Sequence, residues 1–216
     1  MQKCLSAEEA AALVPDGAKI MIGGFLGCGT PHRVIDALLD AGVGDLTLIA
    51  NDTDRANTGI GKLIHERRVR RVVATHIGLN PETQQGLLEG GFEVDLVPQG
   101  TLAEQIRAGG YGLGGVLTKT GLGTIAARAG QTMTINGEEW LYMPPIRADF
   151  ALIYADSADQ AGNLAYHFTQ HNFNPLMAMA GETVICEARE IVPVGVIAPD
   201  HVKTPGVVVD YLVGSA

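Results

Sequence analysis

Two amide side chains and one run of glycines are the residues whose placement best suits chemistry in this sequence. Asn51 directly follows the apolar run 46–50, and Gln99 follows the expected strand 93–97 and Pro98. An amide just beyond an apolar strand is placed to orient a carboxylate or a carbonyl, and its N–H groups can stabilise an oxyanion as it develops. Taken singly, either residue reads more simply as a loop cap; their recurrence at equivalent strand ends favours a site. The third candidate is Gly23-Gly24-Phe25-Leu26-Gly27-Cys28-Gly29, which follows the apolar run 18–22. Glycines there permit tight turns and close approach of backbone to a ligand.

Other chemistries fit less well. Counting from Gly27, the dinucleotide fingerprint needs Gly or Ala at its sixth position, which is His32. Gly61-Lys62 suggests a phosphate loop, but Leu63 stands where Ser or Thr would hold magnesium. His167 and His171 share an i,i+4 spacing without a following Glu, so a metal site has weak support. Cys28 has no identifiable partner base, and a small residue filling a tight loop is the simpler reading. No Gly-x-Ser-x-Gly elbow is present.

The elements that must hold these residues alternate. Ser6 and Glu9 form a capping box opening a helix to about Leu13, and Asp16-Gly17 turns the chain into strand 18–22. Thr30 and Pro31 are expected as N-cap and first residue of a helix ending at Gly42. Strands are expected at 46–50, 71–75 and 93–97, with a helix from Asn80-Pro81 to about Leu88. Thr101 and Glu104 suggest a second capping box, on a helix that stops at Gly109-Gly110. Residues 109–123 hold seven glycines and read as a long ligand-covering loop. Asn136-Gly137 marks a hairpin between 132–135 and 138–142. Strand 150–154, helix 175–180, strand 183–187 and strand 207–212 follow. The alternation predicts an α/β fold: a mostly parallel open sheet flanked by helices, with a small hairpin insertion, as one domain over 1–216. Ligands of such sheets sit beyond the carboxyl ends of the strands, where the three candidates lie.

Composition narrows the class further. With 46% apolar and 18% charged residues in 216, the chain can bury a substantial core. The net charge of −9 and the lack of a basic stripe argue against nucleic acid; the run Arg67 to Arg71 reads as solvated charge at a helix end. Three dispersed cysteines and no signal peptide point to a reducing cytoplasm. No apolar run approaches the ~20 residues that span a bilayer.

The stretch from Asp16-Gly17 through Gly23-Gly24-Phe25 to Gly29-Thr30-Pro31 resembles the alpha-subunit signature of family I CoA-transferases. The likeness continues through Asn51-Asp52-Thr53, Pro98-Gln99-Gly100, Arg147-Ala148-Asp149, Asn172-Phe173-Asn174-Pro175 and the tail 201–206, covering nearly the whole chain. Within the family, residues 49–53 and 172–175 most resemble the bacterial acetate/acetoacetate enzymes. The resemblance implies ping-pong transfer of CoA through a glutamyl-CoA intermediate, with the nucleophilic glutamate on a beta subunit. No glutamate here stands in the Ser-Glu-Asn-Gly-like setting; Glu89-Gly90-Gly91 is nearest. By the same resemblance, residues 23–29 contact CoA as a substrate, no tightly bound cofactor is needed, and Asn51 and Gln99 hold a carboxylate. Bases such as Lys119, or the partner's residues, would have to offset the charge of CoA. The isolated chain is expected to self-associate through the surface its partner covers. A ligand-binding, regulatory or sugar-phosphate-isomerase-like role on the same superfold remains the alternative.

Overall fold

The computed structural model describes residues 4–214. In chain order the strands are β1 (Cys4–Leu5), β2 (Lys19–Ile22), β3 (Leu46–Ile49), β4 (Val69–Ala74), β5 (Glu93–Leu96), β6 (Val116–Thr118), β7 (Gln131–Ile135), β8 (Glu138–Met143), β9 (Ala148–Asp159), β10 (Leu164–Ala165), β11 (Gly181–Val192) and β12 (Tyr211–Gly214). The helices are α1 (Ala7–Ala11), α2 (His32–Asp40), α3 (Ile60–His65), α4 (Pro81–Glu89), α5 (Gln99–Gly110) and α6 (Asn174–Ala180). The main sheet runs β1-β12-β11-β9-β2-β3-β4-β5 with every neighbouring pair parallel; β10 lies antiparallel on β9. The expected α/β architecture is present, with helices on both faces.

The pleat divides the core in two. Ile20, Ile22, Leu46, Leu48 and Val72 pack on one face with residues of α1, α2 and α3. Met21, Ile49, Val97, Ile153 and Val184 pack on the other with Leu102 and Ile106 of α5 and Met177 of α6. Every residue of β3 is buried, as expected for a parallel strand covered on both sides. Burying side chains such as Leu48 and Ile49 stabilises the fold by roughly 1.5–3 kcal/mol each.

Several boundaries differ from the sequence reading, each for a local reason. The Ser6 capping box is present: Ser6 Oγ accepts from Glu9 N at 3.1 Å and Glu9 Oε2 from Ser6 N at 2.8 Å, although α1 closes at Ala11. Thr30 does not cap α2. Its hydroxyl packs against Gly24, Pro31 takes the cap position, and Glu187 of β11 accepts from Arg33 N at 2.9 Å and Val34 N at 3.1 Å. The Thr101–Glu104 box does not form either. Pro98 sets the turn, α5 begins at Gln99, Thr101 is buried inside it, and Glu104 pairs with Arg107. Helix α3 was not foreseen, because Gly59 and Gly61 break its pattern. Residues 109–123 are not all loop: Val116–Thr118 forms β6, which joins β8 and β7 in a three-stranded antiparallel sheet. The hairpin turns at Asn136 and Gly137, both with positive φ. The final strand is β12, and Gly206–Val208 is a single 3-10 turn. Within the Arg67–Arg71 run, Arg68 Nη1 donates to the Gly42 carbonyl and Arg71 lies in β4, paired with Asp95 at 2.6 Å. No helix among the described residues is long and apolar enough to cross a membrane.

Candidate functional site

The site lies at the carboxyl ends of β2, β3, β4 and β5. Asn51, one step past Ala50, is buried, with its side chain turned toward the first residue of α5. Gln99 Nε2 donates to Asn51 Oδ1 at 3.2 Å, and Thr75 Oγ1 reaches the same oxygen at 3.2 Å. Asn51 Nδ2 donates to Asp52 Oδ2 at 2.9 Å. The two amides picked out by sequence therefore touch. Gln99 is exposed. It is the first residue of a helix rather than a loop cap, which fixes its backbone and aims its side chain.

The same Asp52 carboxylate reaches the glycine loop: Oδ2 accepts from Leu26 N at 3.1 Å while Oδ1 accepts from Asp54 N at 2.8 Å. Within the loop, Phe25 N and Cys28 N each donate 3.0 Å to the other residue's carbonyl, closing a two-residue turn. Its central residues, Leu26 (φ 49°) and Gly27 (φ 81°), are both left-handed. Such turns favour Asn-Gly, and a leucine there carries backbone strain of order 1–3 kcal/mol that its surroundings must hold. Phe25 and Leu26 remain about two-fifths exposed, so the strained tip offers an apolar edge to whatever enters.

Two asparagines hold the loop from the α6 side. Asn172 Oδ1 accepts from Gly24 N at 3.2 Å and Nδ2 donates to Cys28 O at 3.1 Å. Asn174, fully buried, donates from Nδ2 to Gly29 O at 3.0 Å and to Gln170 O at 2.8 Å, and accepts from Tyr154 N at 3.1 Å. A Cβ on Gly23 would overlap Asn174 Oδ1, so glycine is required by packing at a position with ordinary φ. Neither asparagine, nor Asp52 or Thr75, was singled out as a site residue from sequence. The signal for the asparagines was available: amides one and three positions before Pro175, at the start of a helix.

These contacts limit what the loop offers. The N–H groups of Gly23, Gly24, Phe25, Leu26 and Cys28 are bonded within the chain. Those of Gly27 and Gly29 have no partner among the described residues. Asp54, 6% exposed, has one carboxylate oxygen without a partner beside Gly27. Lys119 is engaged elsewhere, 3.1 Å from Glu138 and over the ring of Trp140 at 4.8 Å. Glu187, behind α2, has its acidity weakened by burial, which the Val34 and Arg33 amides oppose. Cys28 is exposed at the end of the turn; the buried Cys186 thiol is pushed far up by desolvation. His167 stacks on Phe168 and His171 meets Tyr166 edge-on, and no cluster of metal-ligating residues occurs among the described residues.

Comparison with known proteins identifies the family. The model of the coenzyme A transferase family matches residues 4–215. The acetate CoA-transferase subunit alpha of Escherichia coli K12 is 52% identical over 213 residues, covering 99% of this chain and 97% of that one. The acetoacetyl-CoA:acetate/butyrate CoA transferase alpha subunit of Clostridium acetobutylicum is 49% identical over 211 residues, covering 98% and 97%. Among solved structures, an acyl-CoA transferase from E. coli O157:H7 in a thioester complex with CoA superposes with a TM-score of 0.89 at 23% identity. It is matched over 98% of this chain, which spans 47% of that longer chain. Glutaconate CoA-transferase from Acidaminococcus fermentans gives 0.88 at 19% identity, over 99% and 75%. These two show the shared fold. With a family match over nearly its full length and relatives near half identity, this chain belongs to the coenzyme A transferase family.

Proposed function

We propose that the chain, acting as one domain over 1–216, is the alpha subunit of a cytoplasmic heteromeric CoA-transferase. The enzyme moves CoA between a short-chain acyl-CoA and a carboxylate such as acetate or acetoacetate. The reading rests on the Gln99–Asn51 hydrogen bond at the strand ends beside the clamped glycine loop. It draws on the similarity to the acetate CoA-transferase and acetoacetyl-CoA:acetate/butyrate CoA transferase alpha subunits of E. coli and Clostridium.

The reaction runs in two symmetrical halves. A beta-subunit glutamate attacks the acyl-CoA thioester carbon, the C–S bond breaks, and an acyl-glutamyl anhydride and CoA thiolate form. The thiolate attacks the glutamyl carbonyl and releases the carboxylate, leaving a glutamyl-CoA thioester that the second carboxylate discharges by the reverse steps. This chain supplies the donors. The remaining N–H groups of Gln99 and Asn51 face the carboxylate or the oxyanion that develops from it. The Gly27 and Gly29 amides, with Phe25 and Leu26, receive CoA as a substrate. A preformed hydrogen-bonded pair needs little reorganisation as charge develops, and one such donor contributes ~3 kcal/mol to the transition state.

The purified chain is expected to show no transfer between acetyl-CoA and acetoacetate, and to gain it when combined with a beta subunit; turnover by the chain on its own would sink the subunit reading. In the complex, Gln99→Ala should lower kcat by about 100-fold while the thermal midpoint hardly moves. An unchanged kcat would remove Gln99 from the site. Without its partner, the chain is expected to elute as a homo-oligomer.

A further inference from the structure

A cavity of about 410 Å3 opens on the same sheet face as Asn51, lower down the strands. Its size falls within the range of small-molecule sites. The register locates it: Lys19, Thr47 and Arg71 lie side by side on one rung, and Ile49 and Val73 share the next same-face rung. Asn51 stands one rung further up β3. Thr47 and Asn51 are four positions apart, about 13 Å of strand. The cations of the cavity thus lie well below the amide pair, while Ile49 and Val97 at its upper edge are two positions from Asn51 and Gln99.

Its lining is divided by chemistry. Lys19, Arg71 and Arg128 supply three cations, while Asp95 is the single carboxylate among the lining residues and is already paired with Arg71. That local excess stands out on a chain with nine more acidic than basic residues. Lys19 and Arg128 have no ion pair among the described residues. Burial makes the Lys19 ammonium a weaker base, as does nearby Arg71, while Asp149 opposes them. Two like charges brought together in partial burial favour an anion between them. Beside the cations, one same-face rung further up the sheet, Ile49 and Val73 line the cavity with Met143 as its apolar part. Gln105, also lining the cavity and 3% exposed, donates from Nε2 to the Pro144 carbonyl at 2.8 Å, but its Oε1 has no partner. The wall therefore includes a buried acceptor that the protein does not satisfy; a water or an N–H or O–H donor can relieve that cost, and a carboxylate cannot.

We propose that this cavity is a second binding site, for a small carboxylate with a short apolar body. Its head lies between Lys19 and Arg128 and its chain against Ile49, Val73 and Met143. The site is independent of the CoA-transfer reading.

The test uses the complex of the full chain with its beta subunit, labelled with 13C-methyl methionine, and hexanoate as probe. The Met143 methyl signal, assigned through Met143→Leu, reports on the wall. Hexanoate should shift that signal to saturation, and neutral hexanamide should bind at least about tenfold more weakly. Lys19→Met and, separately, Arg128→Met should each weaken hexanoate by about tenfold; Arg128 is exposed, so its variant folds in any case. Gln99→Ala should leave the Met143 titration unchanged even where it abolishes turnover. A still Met143 signal, equal binding of hexanamide, or insensitivity to both cation variants would overturn the proposal. Loss of the titration in Gln99→Ala would assign the effect to the transfer site instead.

Discussion

Two stretches of this chain are rich in glycine, and they use it in opposite ways. In residues 23–29 the glycines make room for other elements: Asn174 fills the space beside Gly23, and the Thr30 hydroxyl fills that beside Gly24. Asp52, Asn172 and Asn174 then hydrogen-bond the loop from β3 and from the α6 side. In residues 112–123, Gly112, Gly114 and Gly123 have nothing within 4 Å of where a side chain would begin. Composition treats the two stretches alike, yet the first is packed at Gly23, Gly24, Gly27 and Gly29, while the second is packed only at Gly115 and Gly121 and open elsewhere. Rigidity here comes from the neighbours.

That contrast can be broken by substitution. The largest effect is expected for Gly23→Ala, which must displace a buried asparagine from its Gly29 and Tyr154 bonds. A loss of about 3 kcal/mol or more in urea unfolding is expected, against less than about 0.5 kcal/mol for Gly114→Ala. Equal costs would mean that the glycine loop is not held by packing.

A smaller effect is expected for Asn172→Ala, which leaves the Gly24 amide and the Cys28 carbonyl without that partner. The cost should be about 1–3 kcal/mol. Amide exchange should quicken across residues 24–28 and stay unchanged in the β7–β8 hairpin. Uniform quickening would show that Asn172 supports the whole fold instead of the loop.

The smallest of the three concerns the cap behind the loop. Burial raises the Glu187 pKa above its ordinary 4.5, against the two α2 amides that favour the ionised form. A raised folded-state value means that stability is fully present below the unfolded pKa and declines as pH rises through the folded one. Glu187→Gln removes that titration. The stability of wild type minus that of the variant should therefore fall as pH climbs from below 4.5, measured by urea unfolding at successive pH values. A wild type that gains on the variant over that range would mean the amide bonds outweigh desolvation.

Much of the fold was legible because buried parallel strands announce themselves as short apolar runs between turn residues, as 18–22 and 46–50 do. Asn51 and Gln99 were legible for the same reason, since strand ends can be read. Cross-chain substitutions of one cap for another could not be read. Glu187 lies more than 150 residues from the amides it caps, and nothing local distinguishes it from an ordinary strand glutamate. The same holds for Thr30 and Thr101, whose local patterns suggest capping while tertiary packing uses them as buried side chains. Asn172 and Asn174 were quoted for their likeness to a family, but their grip on a loop about 145 positions away exists only in three dimensions.

The alternation along β3 has a consequence for how this lineage can change. Thr47, Ile49 and Asn51 point one way, while Leu46, Leu48 and Ala50 point the other. Deleting or inserting a single residue in that strand would present Ala50 or Asp52 where Asn51 meets Gln99, and would turn leucines toward the cations of the cavity. Length changes in β3 are therefore tolerable in pairs, so descendants of this sequence should keep the parity of the interval between Asp45 and Asn51 even where its residues drift.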